Sequence, residues 1–426
     1  MRNITLTALL VTVLAAAGGC SAAASDAERD PVARSSEQLI GLSGTYSTEG
    51  GVDPNNPFFQ PLGANGRSCG DCHKVDQGWT ITPWAIRARF EASGGTDVLF
   101  KPHDTAVAPN VDVSTLEARR KAYALVLARG IVRIGLGVPA TAEFEVSEID
   151  DPYAFATPAT LSVYRRPLPV SNLAYASTVS WDARLTIAGK TIPEDLAEQA
   201  NKANKGHGQA TTDLPMETRE AIVRFETTTF AAANSMLFVG ALDAAGARGG
   251  AFALATEQHD VATIYDAWRK PQPDSLLAWA RDIVARGGEI FREPRLKRAD
   301  GSRGSCAGCH AGANTGGSAV AALTFDVGVA DASRRASDVP LYTLRNKTTG
   351  ETRKVTDPGR GLITGKWADV GKFKAPSLRD LSARAPYFHD GSAPTLFHVV
   401  DHYKKHFDAD LDDADVFALV AFLSAL

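Results

Sequence analysis

Apolar positions recur at helical spacing in several stretches of the chain and at strand spacing in few. Leu276, Trp279, Ala280, Ile283 and Val284 fall at i, i+3, i+4, i+7 and i+8 behind Asp274 or Ser275, the pattern of a capped helix with one face in a core. Val416, Leu419, Val420 and Leu423 predict a closing helix with a single buried face. Ser114 and Glu117 form a capping box ahead of Ala118 to Leu127, which Gly130 ends, and a further helix is predicted from Glu217 to about Phe230. Alternation at Ala142, Phe144 and Val146 predicts a short strand in an inserted hairpin; Thr343 to Val355, polar at its centre, predicts another hairpin. The fold class expected is mostly α, with small inserted β-hairpins.

Two stretches carry chemistry rather than periodicity: Cys69-Gly70-Asp71-Cys72-His73 and Cys306-Ala307-Gly308-Cys309-His310. Each reads Cys-x-x-Cys-His, the spacing that lets two thiols form thioethers to one haem while the next imidazole reaches the iron. Two covalently bound haem c groups are therefore expected, with His73 and His310 as iron ligands. A zinc site or a disulfide framework could use the same four cysteines, but neither gives a reason for a His after each pair.

Length and composition then set the bounds. A chain of 426 residues accommodates two or three domains, and 44% hydrophobic with 22% charged residues is ordinary for a globular protein. The formal charge of -4 supplies no basic patch, so no nucleic acid partner is expected. Residues 1–20 read as a lipoprotein-type signal: Arg2, an apolar run from Leu6 to Ala17, and Gly18-Gly19 before Cys20. Cys20 is the one cysteine of five outside the haem motifs, so it is expected to carry a lipid anchor in the periplasm, the chain's only contact with a membrane. Plain cleavage is the alternative. The domain reading continues with a flexible tether over 21–51 and an N-terminal haem domain over 52–236. A linker rich in Ala and Gly over 237–270 and a C-terminal haem domain over 271–426 complete it.

Together the two motifs, Trp181-Asp182-Ala183-Arg184, and Phe373-Lys374-Ala375-Pro376-Ser377-Leu378-Arg379 followed by Ala385-Pro386-Tyr387-Phe388-His389-Asp390-Gly391 resemble the bacterial di-haem cytochrome c peroxidase family, which includes MauG. The resemblance implies two cytochrome c-like lobes and a peroxidase-type oxidoreductase. Hydrogen peroxide would meet the N-terminal haem, the C-terminal haem would receive or share electrons, and Trp181 would relay charge between them. Gln199 matches the family's distal glutamine. The family's proton-transferring carboxylate, about ten residues further on, is missing; Gly206-His207-Gly208-Gln209 stands there.

An amide cannot move the proton that peroxide cleavage requires, so His207 is the candidate, with an exposed loop residue as its bland reading. His103 is a second candidate, as a distal ligand. The family's second axial ligand of the C-terminal haem, methionine or tyrosine, lies fourteen residues after the His of the Pro-Tyr-Phe-His stretch. Here that residue is Tyr403, and no methionine follows Met236. His398, His402 and His406 compete for the role.

The family's calcium draws on an asparagine fifteen residues before the tryptophan and on a carbonyl two residues before Pro386. Arg166 and Arg384 occupy those places, and two guanidinium groups oppose a calcium ion. Calcium is thus disfavoured, and the arginines are candidates to supply the charge themselves. Partners implied by the resemblance are hydrogen peroxide, a small cytochrome or other redox protein, and a protein substrate. Rival readings are a di-haem electron carrier without peroxide chemistry and a di-haem oxygenase.

Overall fold

The computed structural model describes residues 41–269, 275–298 and 300–426. The signal, Cys20 and the expected tether up to residue 40 lie outside the described residues. Helices outweigh strands, and the strands form five small sheets of two or three strands among the described residues.

The C-terminal core is built on two helices, Leu276–Arg292 and Asp413–Ser424. Ser275 caps the first, accepting from the Ala278 N–H, and Asp412 caps the second through Asp415 N. They touch backbone to backbone because Gly287 faces the crossing: a Cβ there would sit 2.0 Å from Ala418 O. The closing helix differs from its expected single face. Every residue from Ala418 to Ser424 is buried, as in a helix surrounded by core rather than lying on it.

The expected linker over 237–270 is packed structure over its described residues, 237–269. Val239, Leu242, Val261, Ile264, Tyr265 and Trp268 are buried in that same core, Trp268 at 0% exposure with its indole N–H donating to Ala244 O. Short helical turns replace one another there, so no single period registers the burial.

The expected tether likewise ends in structure. Gly41–Ser47 is a strand paired antiparallel with Thr229–Met236, Tyr46 opposite Phe230. Its Thr45 Oγ1 accepts from the buried Trp79 indole at 3.0 Å, and Ser43 Oγ donates to Asp380 at 2.6 Å. The strand therefore ties the first haem motif's surroundings to the C-terminal half.

A second tie overturns the inserted-hairpin reading of Ala142 to Val146. Phe144–Asp150 pairs with Leu341–Asn346, a strand nearly two hundred residues later, which then turns into Thr352–Val355 as predicted. Phe144, Tyr342, Leu344 and Val355 bury their side chains in one small core, each at 0% exposure. The predicted helix from Ala118 to Leu127 is two helices, Leu116–Ala122 and Ala124–Arg129. Thr115, not Ser114, caps the first.

Twin clefts around the Cys-x-x-Cys-His turns

Each motif coils into a short helical turn, Cys69–Asp71 and Cys306–Cys309, and each turn opens onto its own cleft. Asp71 holds the first turn by accepting from Ser68 N at 2.8 Å and Ser68 Oγ at 3.0 Å. The histidine N–H then returns to the first cysteine's carbonyl in both motifs, His73 to Cys69 and His310 to Cys306.

The two imidazoles are held alike. His73 Nδ1 donates to Trp79 O at 2.9 Å and His310 Nδ1 to Gly316 O at 2.6 Å, both carbonyls lying six residues downstream. Both acceptor residues are left-handed, Trp79 at φ 59° and Gly316 at φ 64°. Glycine takes that conformation freely; a tryptophan holds it only where packing imposes it. Trp79 is pinned by Phe225 and by its indole bond to Thr45. Fixing Nδ1–H in this way leaves the Nε2 lone pair for a metal.

The donor chemistry fits two covalent haems. Burial pulls the His73 imidazole down to about 4 and lowers that of His310, so both are neutral, the form an iron ligand needs. Burial also pushes the thiols up, Cys69 and Cys306 to about 12 and Cys72 to about 11, and all four are free of disulfides. Each pair of free cysteines lines its cleft, where thioethers to a haem would have to form. Among the described residues, no group of three or more His, Cys, Asp and Glu converges as a metal site would require.

In the first cleft, Gln199 stands on helix Ile192–Gly206, and His207 follows as its C-cap. Of the glycines flanking His207, Gly208 is packed, a Cβ on Gly63 lying 2.0 Å from Gly208 O, whereas Gly206 faces open space. His207 Nδ1 donates to Asp104 Oδ2 at 2.8 Å, and Arg67 Nη1 bonds the same oxygen at 2.5 Å. His103 Nε2 lies 3.4 Å from it, and His103 itself does not line the cleft. Burial alone would raise the Asp104 carboxyl; His103, His207 and Arg67 together hold it well below the usual range.

Sequence reasoning missed Asp104 and Arg67, and also Glu226, a fully buried acid in the lining of this cleft with Oε2 unpartnered. Burial raises the Glu226 carboxyl to about 8. The available signal was a lone acid on the apolar face carrying Ile222, Val223 and Phe225.

Trp181 belongs to the lining of both clefts. Its indole donates to Arg166 O at 2.8 Å, and its ring stands 6.3 Å from that of His389. The turn that presents it is left-handed at Ser180 and Ala183. Asp182 anchors the turn through Arg165, which it meets at 2.5 Å and which also grips Asp357 at 2.7 Å, all three buried. Arg166 donates from Nη2 to Arg384 O at 3.0 Å and from Nη1 to Arg129 O at 3.1 Å.

The second cleft takes Tyr403 from helix Leu396–His406, together with Val399, Val400 and, just beyond the helix, Phe407. Its ring stacks near-parallel to Phe407, and burial raises its hydroxyl above the ordinary value. The neighbouring histidines do not line this cleft. His402 has both ring nitrogens engaged, Nδ1 with Arg334 at 3.0 Å and Nε2 with Val327 O at 2.8 Å. His398 Nδ1 bonds Thr395 Oγ1, and His406 stacks on His402.

No family model matches the chain. Curated proteins do. Cytochrome-c peroxidase IdrP2 of Denitromonas iodatirespirans is 42% identical over 78 residues, 17% of this chain and 21% of its own length. Cytochrome c peroxidase Ccp of Escherichia coli is 28% identical over 163 residues, 38% of this chain and 28% of its own. Methylamine utilization protein MauG of Methylorubrum extorquens is 26% identical over 251 residues, 57% of this chain and 55% of its own. The matches thus span from about a fifth to about half of these relatives' lengths. A crystal structure of a MauG-like protein associated with microbial copper homeostasis aligns over 87% of this chain and 86% of its own, at 15% identity and a TM-score of 0.43. Both Cys-x-x-Cys-His turns are held in matching cradles, and over part of its length the chain is similar to bacterial cytochrome c peroxidases and to MauG.

Proposed function

We propose that this chain is a periplasmic di-haem oxidoreductase in which hydrogen peroxide is reduced in the first cleft and the oxidising equivalents are shared with the second through Trp181. When bound, the haems supply the redox chemistry: each peroxide takes two electrons and two protons to give two waters. Cys69, Cys72, Cys306 and Cys309 would hold them as thioethers, and His73 and His310 would ligate the irons through Nε2.

The chain's own residues divide the remaining work. Gln199 orients peroxide by hydrogen bonding. His207 moves the proton between peroxide oxygens, and Asp104 fixes its tautomer with Nδ1 protonated, leaving Nε2 to exchange the proton. Trp181, wedged between the clefts with its N–H satisfied, carries charge from one to the other. Tyr403 would ligate the iron in the second cleft, where a tyrosinate would favour the oxidised state. That combination points to MauG-like oxidation of another molecule, a protein or a small redox partner, rather than to simple turnover with a small cytochrome.

The observation that carries the reading is the His207–Asp104 pair in the lining of the first cleft, a proton-handling dyad in the cleft that also holds Gln199. Electronic and EPR spectra of the purified ferric protein, before and after one equivalent of peroxide, test it. The expected result is one high-spin haem that reacts with peroxide and one low-spin haem. Two low-spin haems inert to peroxide would make the protein an electron carrier, and oxygen consumption without peroxide use would make it an oxygenase.

A further inference from the structure

The two clefts share a wall. Arg166 to Pro169, Trp181 and Lys374 line both, and Arg384 adds to the second. Three of these residues are cations, all buried or half-buried. Buried cations ordinarily face carboxylates, because an isolated charge away from water is costly. Arg165, one residue before Arg166, follows the rule by gripping Asp182 and Asp357.

The wall cations do not. Arg166 donates to the carbonyls of Arg129 and Arg384. Lys374 Nζ donates to Thr178 O at 2.8 Å, and Arg384 to the carbonyls of Asp380 and Ser377. Among the described residues no carboxylate lies within ion-pair distance of any of the three. Asp380, whose charge Arg384 feels, is turned to Ser43, and burial raises its carboxyl to about 6. Burial and mutual repulsion lower Arg166 to about 9 and Lys374 to about 8.

Uncompensated positive charge in a wall between two cofactor clefts calls for anions from the cofactors themselves. Haem c brings two propionate carboxylates, on the part of the macrocycle away from its thioethers. We infer that Arg166 and Lys374 form one carboxylate site shared by the two clefts, which would take a propionate from each haem. The inference rests on the di-haem reading and adds the residues that would meet the propionates. Here the positive charge between the haems is part of the chain and cannot dissociate.

The test uses holoprotein. A pyridine haemochrome count of two haems per chain comes first; a lower count sinks the di-haem reading and the shared site with it, whereas a count of two leaves the site to be decided on its own. Resonance Raman spectra and spectroelectrochemical titrations of the parent, Arg166→Gln, Arg166→Lys and Lys374→Met then decide. The propionate bending bands, which report hydrogen bonding to those carboxylates, are expected to shift in Arg166→Gln and Lys374→Met. The potentials of both haems should fall in the same variants, because a lost cation disfavours the less positive reduced iron, and Arg166→Lys should restore most of the change. Propionate bands that stay put in both variants overturn the inference, and a change confined to one haem overturns the sharing. Should Arg166→Gln not fold, since it also releases two carbonyls, Lys374→Met decides alone.

Discussion

Asp104 accepts from His207 Nδ1 at 2.8 Å with the same oxygen that Arg67 grips at 2.5 Å. The arginine fixes the carboxylate, and the carboxylate fixes the imidazole. Replacing His207 by Gln should slow the reaction with peroxide about 100-fold, within the range for loss of a positioned proton carrier. Asp104→Asn, which frees the imidazole to take the other tautomer, should cost about 10-fold or more while both haems stay attached. Stopped-flow mixing with peroxide reads both. Rates equal to the parent's in both variants would place proton transfer elsewhere.

His207 was legible in the sequence only as a lone titratable residue where the family's carboxylate is missing. Asp104 was not legible at all, because about a hundred residues separate the partners and nothing local marks the acid. The haem turns lie at the other extreme: their ligands fall within five residues, so spacing alone carries the chemistry. Tyr403 was reached by spacing, whereas the engagement of both His402 nitrogens depends on Arg334 and Val327 from distant loops. The strand Gly41–Ser47 escaped notice because its residues are mostly half-exposed and its partner lies in the 229–236 stretch. The closing helix was found, but the burial of every residue from Ala418 to Ser424 depends on the Gly287 crossing, which periodicity does not report.

Glu226 gives a stability prediction with a definite sign. Its folded carboxyl sits at about 8 against an ordinary 4.5, so the folded state holds the proton more tightly than the unfolded chain. Its contribution is fully present below 4.5 and is lost as pH rises towards 8. Glu226→Gln should remove that loss, so the variant gains on the parent across this window by up to about 1.4 kcal/mol per pH unit and no further above it. Denaturant titrations at matched pH values check it. A constant difference between the two proteins at all pH values would show that Glu226 does not titrate there.

Arg166 gives a prediction about metals. Its guanidinium already bonds Arg384 O, the carbonyl at the position from which the family would ligate calcium. Two buried arginines at that place repel a divalent cation. Treatment with a calcium chelator should therefore leave the spectra of both haems and the thermal midpoint unchanged, and added calcium should not alter the peroxide reaction. A spectral change on chelation that calcium reverses would contradict this.

Tyr403 decides which branch of the family the chain follows. It lines the second cleft with His310, while His402 is bound on both ring nitrogens and His398 and His406 lie outside that lining. Burial raises the hydroxyl above its ordinary value, so the free side chain is a neutral phenol, and only a strong Lewis acid would hold it as tyrosinate. As a ligand it would donate charge to ferric iron and give the second haem a low potential. Tyr403→Met should raise that potential and speed reduction by a small cytochrome. It should also shorten the life of the oxidised state that peroxide leaves behind, since methionine stabilises the higher oxidation state less. Tyr403→Phe would remove the proposed ligand without supplying another, so the second haem should open to exogenous ligands such as cyanide. If Tyr403→Met leaves the spectrum and potential of the second haem as they were while His402→Ala changes both, the iron has drawn His402 away from Arg334 and Val327, and the MauG-like assignment fails at this residue.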